Sequence, residues 1–260
     1  MSLFKTLTAR LVRSACLSEF TKHLEFEVEG VPEFGFVAGQ WLSVKAVAPD
    51  GEEFTRAYSI ASPPTENGRI AFCLNRVQDG FMSNYLCDLA EGAEISFQGP
   101  FGDFILPPPL RDTLFIATGT GIAPFRAMLH AMFGSGIESS QAVGSSGKQI
   151  IGSLRVPITR SREFWLLFGA RYEHDIYYRD EFERLAAEHP NFHFLPTLSR
   201  GTPAWKGLRG YVQEHIQSIV GDRKDMHAYI CGLDKMVKAN RELLKGLGWD
   251  RPAIRYEKYD

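Results

Sequence analysis

Cysteine is scarce in this 260-residue chain and never clustered: Cys16, Cys73, Cys87 and Cys231 form no C-x-x-C pair, no zinc pattern and no iron–sulfur spacing. A cysteine-held metal centre is thereby excluded, and sparse unpaired thiols without a signal peptide point to a reducing, cytoplasmic setting. Acids are missing from the first eighteen residues, which carry Lys5, Arg10 and Arg13 and so share the charge bias of a transit peptide. There, however, Leu7, Ala9 and Leu11 alternate with Thr8, Arg10 and Val12, the period of a first strand. No uninterrupted apolar run approaches the roughly 20 residues that span a membrane, so no membrane association is expected. The seven histidines show no H-E-x-x-H or paired spacing and the carboxylates are scattered, which predicts no metal site. No serine sits in a nucleophile elbow, which excludes hydrolysis of that kind. A formal net charge of -2 gives no global attraction to nucleic acid, and none is expected as a partner.

What is present is the composition of a soluble globular protein, 44% hydrophobic and 23% charged. The length allows two domains, each burying its own core. From residue 7 to about 106 the chain consists of short β-like runs (HLEFEVEG, QWLSVKAVAPDG, RAYSIASPP, GRIAFCLNRV, AEISFQGPFG) between Gly, Pro and Asp turns, the spacing of an antiparallel barrel or sandwich. The exception is SNYLCDLA, residues 83–90, which reads as a short helix capped by Ser83. Pro107, Pro108 and Pro109 interrupt any regular ladder and mark a boundary, giving a first domain over 1–108 and a second over 109–260.

Beyond the prolines the rhythm becomes strand, glycine turn, amphipathic helix: TLFIATGTG with IAPFRAMLHAMF, FWLLFGA with YYRDEFERLAAEH, NFHFLPTLSR with YVQEHIQSIV, and HAYICGL with KMVKANRELLKGLGW. That alternation predicts a doubly wound parallel sheet, whose ligands bind at the carboxyl ends of the strands. Those ends are TGTG, FGAR, LSRG and CGLD. The Gly- and Ser-rich stretch over 134–160 reads as a flexible surface loop, with a partner-binding role as the alternative.

The turn T-G-T-G-I-A-P follows the apolar strand LFIA, so its backbone, with Thr120 and Gly121, can approach a pyrophosphate at a helix start. A tight turn with no ligand explains the same glycines. Arg171, Ser199, Arg200, Arg209 and Tyr211 all fall at or just after predicted strand ends. An arginine fork there suits an adenosine 2'-phosphate and an aromatic ring can stack on adenine, whereas an acid in LSRG would have suggested NAD. Solvated surface arginines are the plainer alternative.

RAYSIAS, GFMSNYLCDL, GPFG, GTGTGIAPFRAML, LLFGAR, LSR, YICGL and the terminal EKY occur in one order along nearly the whole chain. With these stretches the sequence resembles the ferredoxin–NADP reductase family, especially its plant-type members. The resemblance implies a β-barrel FAD-binding domain, an α/β NADP-binding domain, and electron transfer between NADP(H) and a transiently bound ferredoxin or flavodoxin, by a monomer, with hydride exchanged at flavin N5.

Residue by residue, the resemblance places Arg56 on the FAD pyrophosphate, Tyr58 along the isoalloxazine ring and Ser59 near N5, with Ala57 among the cofactor contacts. Gly80, Phe81, Met82 and Ser83 make a second pyrophosphate contact through a helix start. Cys73, Leu74, Asn75 and Arg76 belong to the same set of cofactor contacts, as do Ala170, Gly232 and Leu233 at the strand ends. Ser199, Arg200 and Tyr211 hold the adenosine end of NADP, and Arg171 matches a phosphate-binding arginine of bacterial relatives. Cys231 and Glu257 match the active-site cysteine and carboxylate beside Ser59, where they position the nicotinamide rather than attack it. Tyr259 matches the C-terminal aromatic that stacks on the outer flavin face, a contact of roughly 1 kcal/mol beyond burial. Two departures stand out: Asp260 follows the tyrosine that is last in the family, and Asp79 replaces a lysine of plant-type members.

Two further readings share these motifs. The reductase component of an oxygenase often carries an added ferredoxin domain, for which clustered cysteines are needed. A nucleotide-sensing or assembly subunit that has lost hydride transfer is opposed by the presence of Arg56, Tyr58, Ser59, Cys231 and Glu257.

Overall fold

The computed structural model describes residues 5–31, 33–64, 68–134 and 162–259. Past Gly134, the segment expected to be a loop over 134–160 lies outside these residues, as does Asp260. Two compact units emerge, dividing first between Pro108 and Pro109; the helix that begins at Ala123 groups with the first unit.

The first unit is a six-stranded, wholly antiparallel sheet of β1 (Leu7–Cys16), β2 (Thr21–Val28), β3 (Trp41–Val47), β4 (Glu53–Ser59), β5 (Arg69–Asn75) and β6 (Glu94–Phe101), with helix α1 (Phe81–Asp88) between β5 and β6. The strands lie in the order β4-β3-β6-β1-β2-β5, and a bridge between Ile60 and Phe72 joins the two outer strands, so the sheet curls into a barrel. Period-two patterning explains the inside: Leu24, Phe26 and Val28 of β2 and Leu42, Val44 and Ala46 of β3 are buried while their neighbours lie closer to solvent. In β1 the alternation breaks at a register shift between Leu11 and Arg13. Phe26 meets Phe72 at 5.6 Å and Phe34 meets Phe97 edge-on at 5.6 Å. Each buried phenylalanine contributes about 1.5–3 kcal/mol by leaving water.

Helix α1 starts two residues earlier than its sequence suggests, and Ser83 is not its cap. The N-cap is Gly80, while the Ser83 hydroxyl accepts from the Val77 N–H at 3.0 Å and donates to the Gly80 carbonyl at 3.1 Å. Asn84 donates from its side chain to the carbonyls of Val77 and Gly80, so side chains inside the helix tie down the turn that precedes it.

The second unit contains β7 (Thr113–Thr118), which runs through a 3₁₀ turn (Gly119–Ile122) toward α2 (Ala123–Phe133). β8 (Phe164–Ala170), α3 (Arg179–Glu188), β9 (Phe192–Leu198), β10 (Leu208–Arg209), α4 (Ile216–Val220), β11 (His227–Leu233), α5 (Asp234–Gly246) and β12 (Ile254–Tyr259) follow. All pairings are parallel, in the order β10-β9-β8-β7-β11-β12. β7 and β11 are almost entirely buried, as expected of apolar runs in a parallel sheet. Pro196 sits within β9 without breaking it, because β10 pairs only with Thr197 and Leu198 and leaves that side of Pro196 bare.

The helix expected over YVQEHIQSIV is broken. A 3₁₀ turn (Val212–Glu214) is held by the Glu214 carboxylate on the Tyr211 N–H at 3.0 Å, and only five residues of α4 follow. His215 causes the interruption: its Nε2 lies 2.9 Å from the Arg209 carbonyl and 3.1 Å from Thr197 Oγ1, which anchors the chain to the sheet. Helix α2 packs within the first unit, where Arg126 Nη1 donates to the Ala61 carbonyl at 2.9 Å and Phe125 meets Phe104 at 5.9 Å.

Candidate functional site

Along β4, Phe54, Arg56 and Tyr58 share one face of the strand. Arg56 is exposed and its guanidinium donates from Nη1 to the neighbouring Thr55 carbonyl at 2.9 Å, using one of the five N–H donors of the fork. Ala57 is exposed, Tyr58 is half-buried with its ring 5.6 Å from Phe72, and Ser59 is buried opposite Trp41. Burial pushes the Tyr58 phenol up to about 12; Cys87 adds to the rise and Arg56 opposes it. Phe54 packs on Phe81 at 4.6 Å, which draws the start of α1 to the strand that carries Arg56.

At that start, the first intrahelical bond runs from Asn84 N–H to the Gly80 carbonyl at 3.2 Å, so the N–H groups of Phe81, Met82 and Ser83 have no acceptor within the helix. A guanidinium, a helix start and an aromatic ring on neighbouring elements form the donor set that a dinucleotide pyrophosphate with a planar ring system needs, and FAD fits it. The residues expected beside them are arranged differently. Cys73 and Leu74 are buried within β5, so only their main chain is available to a ligand. Arg76 is engaged with Asn84 Oδ1 at 2.8 Å and with the Asp88 carboxylate, and the side chain of Asn75 accepts from the Thr21 hydroxyl.

In the parallel sheet the predicted strand ends converge. Register places Ala117 and Glu257 on either side of Cys231, Lys258 beside Gly232, and Tyr259 beside Leu233. Cys231 is fully buried; burial pushes its thiol well above the ordinary range, and the Glu257 carboxylate pushes it further, with the Tyr259 hydroxyl and the Gly232 N–H opposing. It stays a neutral thiol, which suits a packing and positioning role and not a nucleophile. Leu233 is 65% exposed, so the strand ends in an apolar side chain facing solvent.

The glycine turn is close-packed from below. A Cβ on Gly232, whose φ is +140°, would stand 2.5 Å from Thr118 Oγ1. Gly119 holds φ +56° with nothing within 4 Å of an added Cβ, so there the conformation alone calls for glycine. Among the described residues the Thr118 hydroxyl is a buried group with no hydrogen-bond partner, at the last position of β7. The orphaned hydroxyl and the glycine-lined turn, with Thr120 and Gly121 in it, fit the polar backbone of a dinucleotide. Thr118 was not foreseen from sequence, although its place before the glycines was a usable signal.

The ends of β8 and β9 are tied together, with Ser199 N–H on the Ala170 carbonyl at 3.0 Å and Arg200 N–H on the Arg171 carbonyl at 2.9 Å. Arg171, Ser199 and Arg200 are exposed there, and Tyr211 is 63% exposed. Arg209 differs: its Nη1 and Nη2 donate to the carbonyls of Gly201, Thr202 and Trp205 at 3.0, 2.7 and 2.8 Å. It braces the loop after Ser199 and Arg200. Tyr172, unremarked in the sequence, brings its hydroxyl within 3.4 Å of Arg200 Nη1. Among the described residues no group of three His, Cys, Asp or Glu side chains could hold a metal ion, and no helix is long and apolar enough to cross a membrane.

Two family models match the chain: an oxidoreductase FAD-binding domain over residues 8–105 and an oxidoreductase NAD-binding domain over 115–242. The chain is 40% identical to ferredoxin–NADP reductase B of Sorangium cellulosum, across 97% of both proteins. It is 29% identical to the toluate 1,2-dioxygenase electron transfer component of Pseudomonas putida, covering 94% of this chain and 64% of that one. In fold it is similar to a ferredoxin NADP+ reductase from Neisseria gonorrhoeae with bound FAD and NADP, with TM-score 0.76, 19% identity and 98% of each chain covered.

Proposed function

The chain belongs to the ferredoxin–NADP reductase family, and on that premise we propose how its residues divide the work of an FAD-dependent oxidoreductase between NADP(H) and a one-electron carrier. The observation that carries the reading is the orphaned Thr118 hydroxyl above a glycine turn, on a sheet whose other strand ends present Arg171 and Arg200.

Bound FAD supplies the exchange of electron pairs with the nicotinamide and of single electrons with the carrier. In our assignment residues 1–108 bind FAD and residues 109–260 bind NADP. Arg56 and the first-turn N–H groups of Phe81, Met82 and Ser83 hold the flavin nucleotide's pyrophosphate, while Tyr58 lies along its ring and Ser59 donates at the reactive edge. Thr118, Thr120 and Gly121 receive the pyrophosphate of NADP, and Arg200, Arg171 and Tyr211 receive its adenosine end. Cys231 and Glu257 position the nicotinamide and exclude water without exchanging a proton themselves, and Tyr259, beside Leu233 at the end of β12, offers its ring at the same strand ends. The carrier is a ferredoxin or a flavodoxin, met transiently by a monomer, and the free thiols suit a reducing cytoplasm. Identity of 40% over whole chains favours this reading over an oxygenase reductase component, where the likeness is 29% and covers 64% of the relative.

The test is an anaerobic absorbance titration of the FAD-loaded protein with NADPH and, separately, NADH. Flavin bleaching at much lower NADPH supports the assignment. Preference for NADH removes the arginine reading, and no bleaching with either removes catalysis.

A further inference from the structure

Two side chains meet where β8 and β9 end: Arg200 donates from Nη1 to the Tyr172 hydroxyl at 3.4 Å. Tyr172 is held on the other side as well. Its ring stacks almost parallel on His174, with centroids 5.5 Å apart and planes 12° apart, and its N–H donates to the Asp175 carboxylate at 3.3 Å. The side chain is therefore presented in one orientation, yet it remains 37% exposed. Arg209 has its terminal nitrogens on three loop carbonyls, whereas Arg171 and Arg200 are exposed at this corner.

A phenol hydroxyl has one proton to give and lone pairs to receive. The one on Tyr172 receives from Arg200, so its own proton is available to a second acceptor beside that guanidinium. We propose that Tyr172 is a specificity-determining residue for NADP: its hydroxyl fixes the Arg200 guanidinium and donates directly to the 2'-phosphate. The proposal rests on the reading of this corner as the adenosine 2'-phosphate site. A tyrosine used only to tie two loops together would affect every adenine nucleotide alike, whereas a phosphate ligand affects only those with the 2'-phosphate.

The experiment compares 2',5'-ADP with 5'-AMP, two probes that differ in that phosphate alone, by isothermal titration calorimetry on FAD-loaded wild-type protein and Tyr172→Phe. Phenylalanine keeps the ring and its stack on His174, so melting temperature and FAD content should match wild type. Loss of one charge-assisted hydrogen bond predicts a fall in 2',5'-ADP affinity of about five- to twentyfold, with 5'-AMP changed by less than about twofold. Retention of the wild-type ratio of affinities, or an equal loss for both nucleotides, overturns the role of the hydroxyl. Wild-type protein that fails to prefer 2',5'-ADP removes the phosphate site itself, and the proposal with it.

Discussion

Gly121 lies so close under Cys231 that an added Cβ would come within 2.3 Å of the Cys231 carbonyl oxygen and 2.7 Å of the Gly232 nitrogen. Both obstacles are main chain of a central strand and cannot swing aside as a side chain would. Gly121→Ala should therefore cost about 1–3 kcal/mol or more, lower the melting temperature by several degrees, and weaken NADP binding at least tenfold. Scanning calorimetry and a nucleotide titration check it. An unchanged melting curve would show that the turn shifts freely.

Arg209→Ala removes three hydrogen bonds to the loop carbonyls of Gly201, Thr202 and Trp205. Each is worth about 1 kcal/mol net, so amides of this loop should exchange faster while those of β7 and β11 keep their protection. Lysine should not rescue, because one ammonium cannot reproduce a planar fork reaching three acceptors. Hydrogen exchange read by mass spectrometry decides; uniform protection in the variant would mean the loop holds itself.

Cys16 is exposed, whereas Cys73, Cys87 and Cys231 are buried. Burial raises the Cys87 and Cys231 thiols above their ordinary value, so neither becomes a ready nucleophile. Iodoacetamide at mildly alkaline pH should label Cys16 and spare the rest, and enzyme labelled once should keep its hydride-transfer rate. Peptide mapping that found Cys231 labelled in folded protein would contradict the buried, neutral thiol.

The Tyr58 phenol titrates at about 12 instead of 10.0. The unfolded chain gives up its proton first, so between those values the folded state holds more protons and stability falls as pH rises. The contribution is intact below pH 10 and lost above about 12. In Tyr58→Phe, urea melts across that window should therefore show a shallower alkaline decline. An identical decline would place the lost protons on other groups.

The strand ends were readable in the sequence because chemistry and periodicity coincide there: Thr120 and Gly121 after LFIA, Arg171 after LLFGA, and Ser199 and Arg200 after FLPTL all stand where alternation put them. Ser83 was misjudged because the sequence cannot show that its hydroxyl would bond backward to Val77, a tie that let Gly80 take the cap. The broken helix after Tyr211 was hidden for a similar reason, since His215 reaches across to Thr197 only once β9 is in place. Arg209 and Arg200 are alike as letters. Their difference, one bracing three carbonyls and the other turned to a tyrosine hydroxyl, is a matter of tertiary geometry.

The bridge between Ile60 and Phe72 joins the outer strands of the antiparallel sheet. A sheet that meets itself has no long row of bare amides to offer a second molecule, and edge-to-edge stacking is a common route to aggregation. The parallel sheet ends on one side in the two-residue β10 and on the other in β12, where Arg255, Glu257 and Lys258 interrupt any apolar ribbon. The closed antiparallel sheet and the charge-interrupted edge of β12 both disfavour edge-to-edge stacking, so the purified protein should stay dispersed when concentrated.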